Sequence, residues 1–340
     1  MKVTILTCTY NGKNKLSNTL QVFTSLIIPD EVRLLEILVV DNNSDDGTAD
    51  FISEFWKKLD TNLTLNVIYE KKAGKSNALI TGFNRAQGDI IILCDDDNWL
   101  DKNYIVSACE LFKMNPDIGL AGGFGRKAVF TDNQEPQWFN QFKWRYMVGT
   151  HHKKSRYLVK NDYSIYGAGS VIRKSVWDLV YQSGFRFQNF TNSNKAMAED
   201  SELSMAVAFS GNKLYFDDKL TFVHDLRWGR LTIEKLKEQE KLNGKCIIYP
   251  MVYELIYHRI GSSYFFLSFL KHYLLTFFEV RQQLQKLRIA VLQAEDIVTE
   301  VDFVKVRSTY KNMVLLLPIV IFKYPTVKRW IQRLVEHSKA

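Results

Sequence analysis

The 340-residue chain lacks most of the features that would place it in a class at once. Its four cysteines, Cys8, Cys94, Cys109 and Cys246, stand far apart with no Cys-x-x-Cys pair, which excludes a disulfide framework and leaves reduced, mostly buried thiols. No internal repeat or low-complexity stretch is present, and 46% hydrophobic with 24% charged residues is a globular rather than a disordered composition. Neither a zinc-finger spacing nor an RNA-binding signature occurs, so no nucleic-acid partner is expected. Met1-Lys2 leads directly into a strand pattern without a signal peptide, and a cytoplasmic location is expected. A clean membrane span is also missing: the nearest approach, Gly261 to Phe278, carries Lys271 and His272 at its middle.

Acidic residues are scarce in the last third. Residues 1–225 hold 26 Lys and Arg against 27 Asp and Glu, whereas residues 226–340 hold 19 against 10. Such an excess suits an anionic partner, and with nucleic acid disfavoured a membrane surface is the candidate.

The stretch around which the chain can be organised is Gly88-Asp89-Ile90-Ile91-Ile92-Leu93-Cys94-Asp95-Asp96-Asp97-Asn98-Trp99-Leu100. A short apolar run behind a glycine reads as a buried strand of a parallel sheet, and ligands on open α/β sheets sit outside the carboxyl ends of such strands. Like charges about 4 Å apart repel by roughly 4 kcal/mol at the effective dielectric of a protein surface, so three consecutive carboxylates need solvent or a cation. A solvated acidic turn is one reading. A magnesium or manganese ion is the other, since hard cations take carboxylate oxygens and keep positions open for substrate phosphates. The apolar strand in front and Trp99-Leu100 behind favour the cation, because a solvated turn needs no apolar wall.

Strand and helix patterns alternate through the first 95 residues. Val3 to Leu6 is followed by the turn Thr9-Tyr10-Asn11-Gly12 and by Leu16, Leu20, Phe23 and Ile27 at helical spacing. Leu35 to Val40 ends at Asp41-Asn42-Asn43-Ser44-Asp45-Asp46-Gly47-Thr48 before a second helix, and Leu65 to Tyr69 is a third strand. Lys71 to Asn77 then opens a helix through Leu79, Phe83 and Ala86. This alternation predicts a doubly wound, mostly parallel sheet whose loops carry Asp41, Lys75 and Asp95 to Asp97 along one edge.

Thr7-Cys8-Thr9-Tyr10-Asn11, the Val40 to Thr48 segment, Gly74 to Gly82 and the Asp95 to Leu100 loop together resemble family 2 glycosyltransferases of GT-A fold. The resemblance covers residues 1 to about 245. It implies an α/β architecture with a Rossmann-like, mostly parallel central sheet and flanking helices, followed here by a C-terminal helical appendage. It further implies that Thr9, Tyr10 and Asn11 cradle the nucleotide, that Asp41 contacts the base, usually uracil, and that Asp95 or Asp96 meets the ribose. Asp97 would hold Mn2+ or Mg2+ bridging the diphosphate, and Lys75 would line the nucleotide. A lysine before a helix N-terminus suits a phosphate, although an ordinary solvated lysine fits the same pattern.

Downstream the pattern is less regular. Leu120 to Gly125 reads as a buried strand and turn. Between Gln137 and Tyr157, Trp138, Phe139, Phe142, Trp144 and Tyr146 alternate with Lys143, Arg145, His151, His152, Lys153, Lys154 and Arg156, which suits either an acceptor loop or packing beneath one. Tyr166 to Arg173 is again family-like. Met197 to Ala208 opens a helix with Glu199, Asp200 and Glu202 in its first turn; a helix dipole favours acids there by about 0.3–1 kcal/mol. The resemblance makes Asp200 the general base, with Glu199 and Trp228 on the acceptor side. Leu214 to Phe216 and Thr221 to Val223 read as two short strands bracketing Asp217-Asp218, the second ending at His224. That histidine is either structural or, by the resemblance, part of the metal site, and Arg227 or Arg230, which follow closely, could neutralise a diphosphate. His224-Asp225-Leu226-Arg227-Trp228 departs from the Gln-x-x-Arg-Trp of processive members, so a single addition is expected.

The function expected is inverting, metal-dependent transfer of a sugar from a nucleotide diphosphate, UDP first, to a glycan or lipid-linked saccharide in bacterial surface-polysaccharide assembly. Two alternatives stand beside it: a nucleotidyltransferase, and a GT-A-fold binding protein without chemistry. Residues 1–245 form the expected catalytic domain, with a nucleotide-binding half at 1–100 and an acceptor half at 101–245. Residues 246–340 form a basic helical region. In it Ser268, His272, Thr276 and Glu279 make a narrow polar stripe, and Met313 to Phe322 is a run broken by Pro318. A peripheral position on the inner face of the cell membrane is expected for this region, with packing on the catalytic domain or a homodimer interface as the other outcomes.

Overall fold

A computed structural model describes residues 1–131, 134–150, 152, 154–158, 165–187, 198–260, 265–293 and 296–338, with Trp228 and Phe265 as backbone only. His151, Lys153, Met197 and Gly261 to Tyr264, named above, lie outside the described residues. Contacts divide the chain into one unit of residues 1–179 with 212–227 and a second of residues 180–211 with 228–340.

The first unit is built on one sheet. Its opening half alternates β1 (Lys2–Thr9), α1 (Leu16–Phe23), β2 (Leu34–Asp41), α2 (Thr48–Lys58), β3 (Leu65–Tyr69), α3 (Lys75–Arg85) and β4 (Ile90–Leu93). The order β3-β2-β1-β4 is parallel throughout, with Ile5 opposite both Ile37 and Ile92. Val3, Ile5, Ile37, Val39, Ile90 and Ile92 are fully buried in one core with Leu16, Leu20 and Phe23 of α1. Runs apolar on both faces are what a parallel sheet covered on both sides requires, and the crossover helices supply the cover.

The second half of the sheet is mixed. It comprises β5 (Asn98–Leu100), α4 (Tyr104–Met114), β6 (Ile118–Val129), the single turn α5 (Phe139–Phe142), β7 (Arg156–Tyr157), β8 (Val171–Arg173), the start of α6 (Lys174–Gln182) and β9 (Lys213–Asp225). β8 lies antiparallel between β4 and β6, β6 runs parallel to β9, and β5 and β7 pair antiparallel with β9.

Three local expectations change here. The loop after Asp97 becomes strand β5, because Asn98 to Leu100 finds partners in His224 to Phe222. The turn expected near Gly125 is absent, and β6 continues through it to Val129. The two short strands around Asp217-Asp218 are one strand, β9, whose register slips between Phe216 and Thr221. The slip stands opposite Gly123, where an added Cβ would lie 1.7 Å from the Leu220 carbonyl oxygen. Only glycine lets the two backbones approach this closely.

The second unit is helical: α7 (Glu199–Phe209), α8 (Ile233–Cys246), α9 (Ile248–Tyr257), α10 (Phe265–Gln293) and α11 (Ile297–His337). Its core centres on Trp330, whose ring meets Phe185 at 5.3 Å, Tyr253 at 5.1 Å and Phe209 at 6.5 Å. Pro318 does not break the last segment, since α11 runs through it and through Pro325. Among the described residues no helix is long and apolar enough to cross a membrane.

Candidate active site

The carboxyl ends of β1, β2 and β4 place Thr9, Asp41 and the Asp95–Asp97 loop on one edge of the sheet, as the strand pattern predicts. Neighbouring carboxylates in this loop have different partners. Lys75 Nζ reaches Asp95 Oδ1 at 2.7 Å from the first residue of α3, and both side chains retain solvent contact. Asp96 turns inward, where its Oδ2 accepts from Thr9 Oγ1 at 2.7 Å and pairs with Lys15 Nζ at 3.2 Å. Burial holds the Asp96 carboxyl above the ordinary range and the Asp97 charge adds to this, while Lys15 and the Thr9 hydroxyl pull it back. Thr19 Oγ1 fixes the loop by donating to the Asp96 carbonyl at 3.0 Å.

Asp97 faces His224. Its Oδ1 lies 3.5 Å from His224 Nε2, and both side chains are largely buried. His224 Nδ1 sits 2.7 Å from the Tyr146 carbonyl oxygen. A carbonyl can only accept, so Nδ1 carries a proton and Nε2 is the nitrogen that faces Asp97. With its Nδ1 proton held by the Tyr146 carbonyl, the ring has Nε2 as the nitrogen that can ligate a metal. Two ligands at right angles on an ion with bonds of about 2.1 Å lie about 3 Å apart, so the pair fits Mn2+ or Mg2+ after a small closure. Among the described residues no cluster of three or more His, Cys, Asp or Glu side chains is set for a metal, and the pair leaves positions open for water and phosphate oxygens.

The nucleotide-side loops are tied to each other. Asp41 is almost fully buried, and its Oδ1 accepts from Ser44 N at 3.2 Å. Asn11 has a left-handed backbone (φ 48°), its N donates to Ser44 Oγ at 2.9 Å, and its Oδ1 accepts from Asp45 N at 3.1 Å. Tyr10 beside it is 57% exposed, available to a ligand. Gly74 (φ 120°) donates its N–H to Asn42 Oδ1 at 2.7 Å, which fixes the entry to α3 and so the start of the Lys75 side chain.

Arg227 lies beside Asp225, 3.6 Å from its Oδ2, while Asp225 Oδ1 accepts from Thr131 Oγ1 at 2.5 Å. Asp225 N donates to the Asp97 carbonyl at 2.8 Å, so the strand carrying His224 and Arg227 is pinned to the aspartate loop. Asp200 and Glu199 lie in the first turn of α7, in the second unit, where Asp200 Oδ1 accepts from Ser201 N at 2.7 Å and Glu199 is buried. Trp228 opens a 3-10 turn ending at Arg230, and its side chain is outside the described residues. Lys15, Thr19 and Tyr146 were not anticipated as site residues. Lys15 had a signal, a cation just before the first helix of a βα unit, whereas Tyr146 acts through its carbonyl and leaves no side-chain signature.

A probable glycosyltransferase of Bacillus subtilis, YdaM, is 26% identical over 273 residues, 74% of this chain, and the chain spans 61% of that protein's length. Two solved structures share the fold. One is a mannosyltransferase of Pyrobaculum calidifontis, PcManGT, in complex with GDP-Man and Mn2+ (TM-score 0.55, 15% identity, 99% of this chain and 86% of that one). The other is S. aureus TarS 1-349 in complex with UDP-GlcNAc (TM-score 0.50, 18% identity, 73% and 67%). The architecture, a mostly parallel sheet with an antiparallel second half and flanking helices, is therefore GT-A. The model of glycosyl transferase family 2 matches residues 4–180, more than half of the chain, and the protein belongs to that family.

Proposed function

We propose that the protein is an inverting, metal-dependent hexosyltransferase that moves a sugar from a UDP-sugar to a glycan or lipid-linked saccharide, one addition per encounter, in bacterial surface-polysaccharide assembly. The observation that carries this reading is the division of work among adjacent carboxylates: Asp95 held by Lys75, Asp96 by Thr9 and Lys15, and Asp97 facing Nε2 of His224. The solved complexes of TarS with UDP-GlcNAc and of PcManGT with GDP-Man and Mn2+ support the donor class and the ion.

In this reading Asp97 and His224 would hold Mn2+ or Mg2+, which when bound neutralises charge on the departing diphosphate. Asp41 contacts the base, the Thr9-Tyr10-Asn11 turn cradles the nucleotide, and Asp95 or Asp96 meets the ribose. Lys75 exchanges Asp95 for a phosphate oxygen, and Arg227, oriented by Asp225, adds positive charge where the diphosphate leaves. Asp200 takes the proton from the acceptor hydroxyl as that oxygen attacks the anomeric carbon from the face opposite the diphosphate, so the configuration inverts. Glu199 and Trp228 belong to the acceptor side. The catalytic domain is proposed to run over residues 1–245 and the C-terminal helices to hold it peripherally at the inner face of the cell membrane.

The test is a thermal-shift panel of nucleotide sugars with and without Mn2+. A UDP-sugar that raises the melting temperature only when Mn2+ is present is the expected result. If no nucleotide sugar shifts the melt in either state, the donor assignment is wrong.

A further inference from the structure

Helices α10 and α11 form an antiparallel hairpin that is well packed on one side. Tyr273 Oη donates to the Met313 carbonyl at 2.7 Å, Phe277 stacks on Tyr310 at 4.9 Å, and Phe269 meets Tyr324 at 4.9 Å. The polar stripe noted in the sequence does not form an outer face, because His272 is half-buried with its Nδ1 3.2 Å from Arg259 Nε. The outer face is apolar instead. On α10 it carries Leu267 (66% exposed), Leu274 (51%) and Phe278, and on α11 Leu315, Ile319 and Phe322 (83%).

The pairing level that joins residue 269 to 324 and residue 277 to 310 sets Leu267 beside Phe322 and Leu274 beside Leu315. At 3.6 residues per turn Leu267, Leu274 and Phe278 share one face of α10, and Leu315, Ile319 and Phe322 share one face of α11. Both stripes are exposed at matching levels along the hairpin, an apolar ridge on each helix.

Charge tells what the ridge fits. Between Asp302 and Glu336 the chain has no acidic residue and seven cations. Exposed Arg307 and Lys311 lie at one end of the α11 apolar stretch and exposed Arg329 at the other, while Lys271 and Arg281 are exposed on the α10 stripe. Glu279, the acid within α10, sits roughly a third of a turn off the ridge. Two copies apposed through this face would bring like charges together, whereas an anionic leaflet offers lipid tails to the ridge and headgroups to its ends. Pro318 and Pro325 remove the helical donors of the Val314 and Ile321 carbonyls, an arrangement that water at an interface can satisfy and hydrocarbon cannot.

We propose that the outer face of the α10–α11 hairpin is an insertion surface for an anionic bilayer, lying in the headgroup region with Phe322 and Leu274 buried among the lipids. The proposal deepens the peripheral placement above and rests on it, but is independent of donor and reaction.

The experiment is flotation of the full chain with vesicles of phosphatidylglycerol and phosphatidylcholine in equal parts, or of phosphatidylcholine alone, at low and at high salt. The wild type floats with the anionic vesicles at low salt, less at high salt, and weakly with the neutral ones. The double variant Leu274→Glu with Phe322→Glu loses at least about tenfold in vesicle affinity, keeps its melting temperature and keeps its response to UDP-sugar with Mn2+ measured without vesicles. No flotation of the wild type with anionic vesicles at low salt, or undiminished flotation of the variant, overturns the proposal. A non-floating wild-type dimer that the double variant splits overturns it in favour of a second copy. An absent UDP-sugar response with intact flotation sinks the donor reading alone.

Discussion

Asp97→Asn should change binding and stability in opposite directions. Asp97 and His224 Nε2 stand as a pair 3.5 Å apart, so the substitution removes the anionic member and leaves one imidazole nitrogen to hold a hard cation. Altering a partner of a metal ligand typically costs 10–100-fold in affinity, and losing the ligand itself should cost on the order of 100-fold or more. With wild-type donor and Mn2+ at about 100 times Kd, ligand stabilisation is about 2.7 kcal/mol, and a 100-fold weaker Kd leaves about 0.4 kcal/mol. At about 2–4 °C per kcal/mol for a chain of this order, a ligand-induced shift of about 5–10 °C falls to about 1 °C.

Without metal the sign reverses. Asp97 helps hold the buried Asp96 carboxyl above its ordinary range, so at neutral pH Asp96 is charged at a cost that its protonated form avoids. A carboxyl whose pKa is raised on folding stabilises fully below its unfolded value and loses that contribution as pH rises through the folded one. Removing the Asp97 charge lowers this penalty. The metal-free variant should therefore melt above wild type at pH 7, with the difference shrinking as pH falls through the Asp96 titration. Differential scanning fluorimetry in chelator, then with Mn2+ and UDP-sugar, reads both. A variant with an undiminished Mn2+-dependent shift refutes the assignment of Asp97.

His224→Gln should weaken Mn2+-dependent donor binding by about 10–100-fold while Mn2+-independent nucleotide binding persists, as titration of UDP with and without the metal would reveal. Asp200→Asn should retain donor binding and lose about 10²-fold or more in turnover, as expected for a positioned base; full turnover would move the base to Glu199 or Glu202. Product with retained anomeric configuration, read by NMR, would defeat the inverting mechanism. Gly123→Ala should cost about 1–3 kcal/mol or prevent folding, because the new Cβ meets the Leu220 carbonyl rather than a movable side chain; an unchanged thermal melt would contradict the backbone approach described for β6 and β9.

The parallel half of the sheet and its acidic edge were legible in the sequence because both are local patterns. Ile90 to Leu93 needs no partner to read as a strand buried on both faces, and the carboxylates that follow must emerge at its end. The acid-rich first turn of α7 was legible for the same reason, and the family resemblance supplied roles that spacing by itself would not. Pairing between distant segments decided the rest. Asn98 to Leu100 is a strand because β9 arrives more than 120 residues later to pair with it, and β9 remains a single strand because Gly123 admits its slipped backbone. The Tyr146 carbonyl, 78 residues from His224, fixes which nitrogen of the ring faces Asp97. Hydropathy also could not orient α10, since it marks which residues are apolar without saying which of them a partner helix covers. The contacts of Phe269 and Tyr273 with α11 bury one side, and that choice leaves Leu267, Leu274 and Phe278 on the outside.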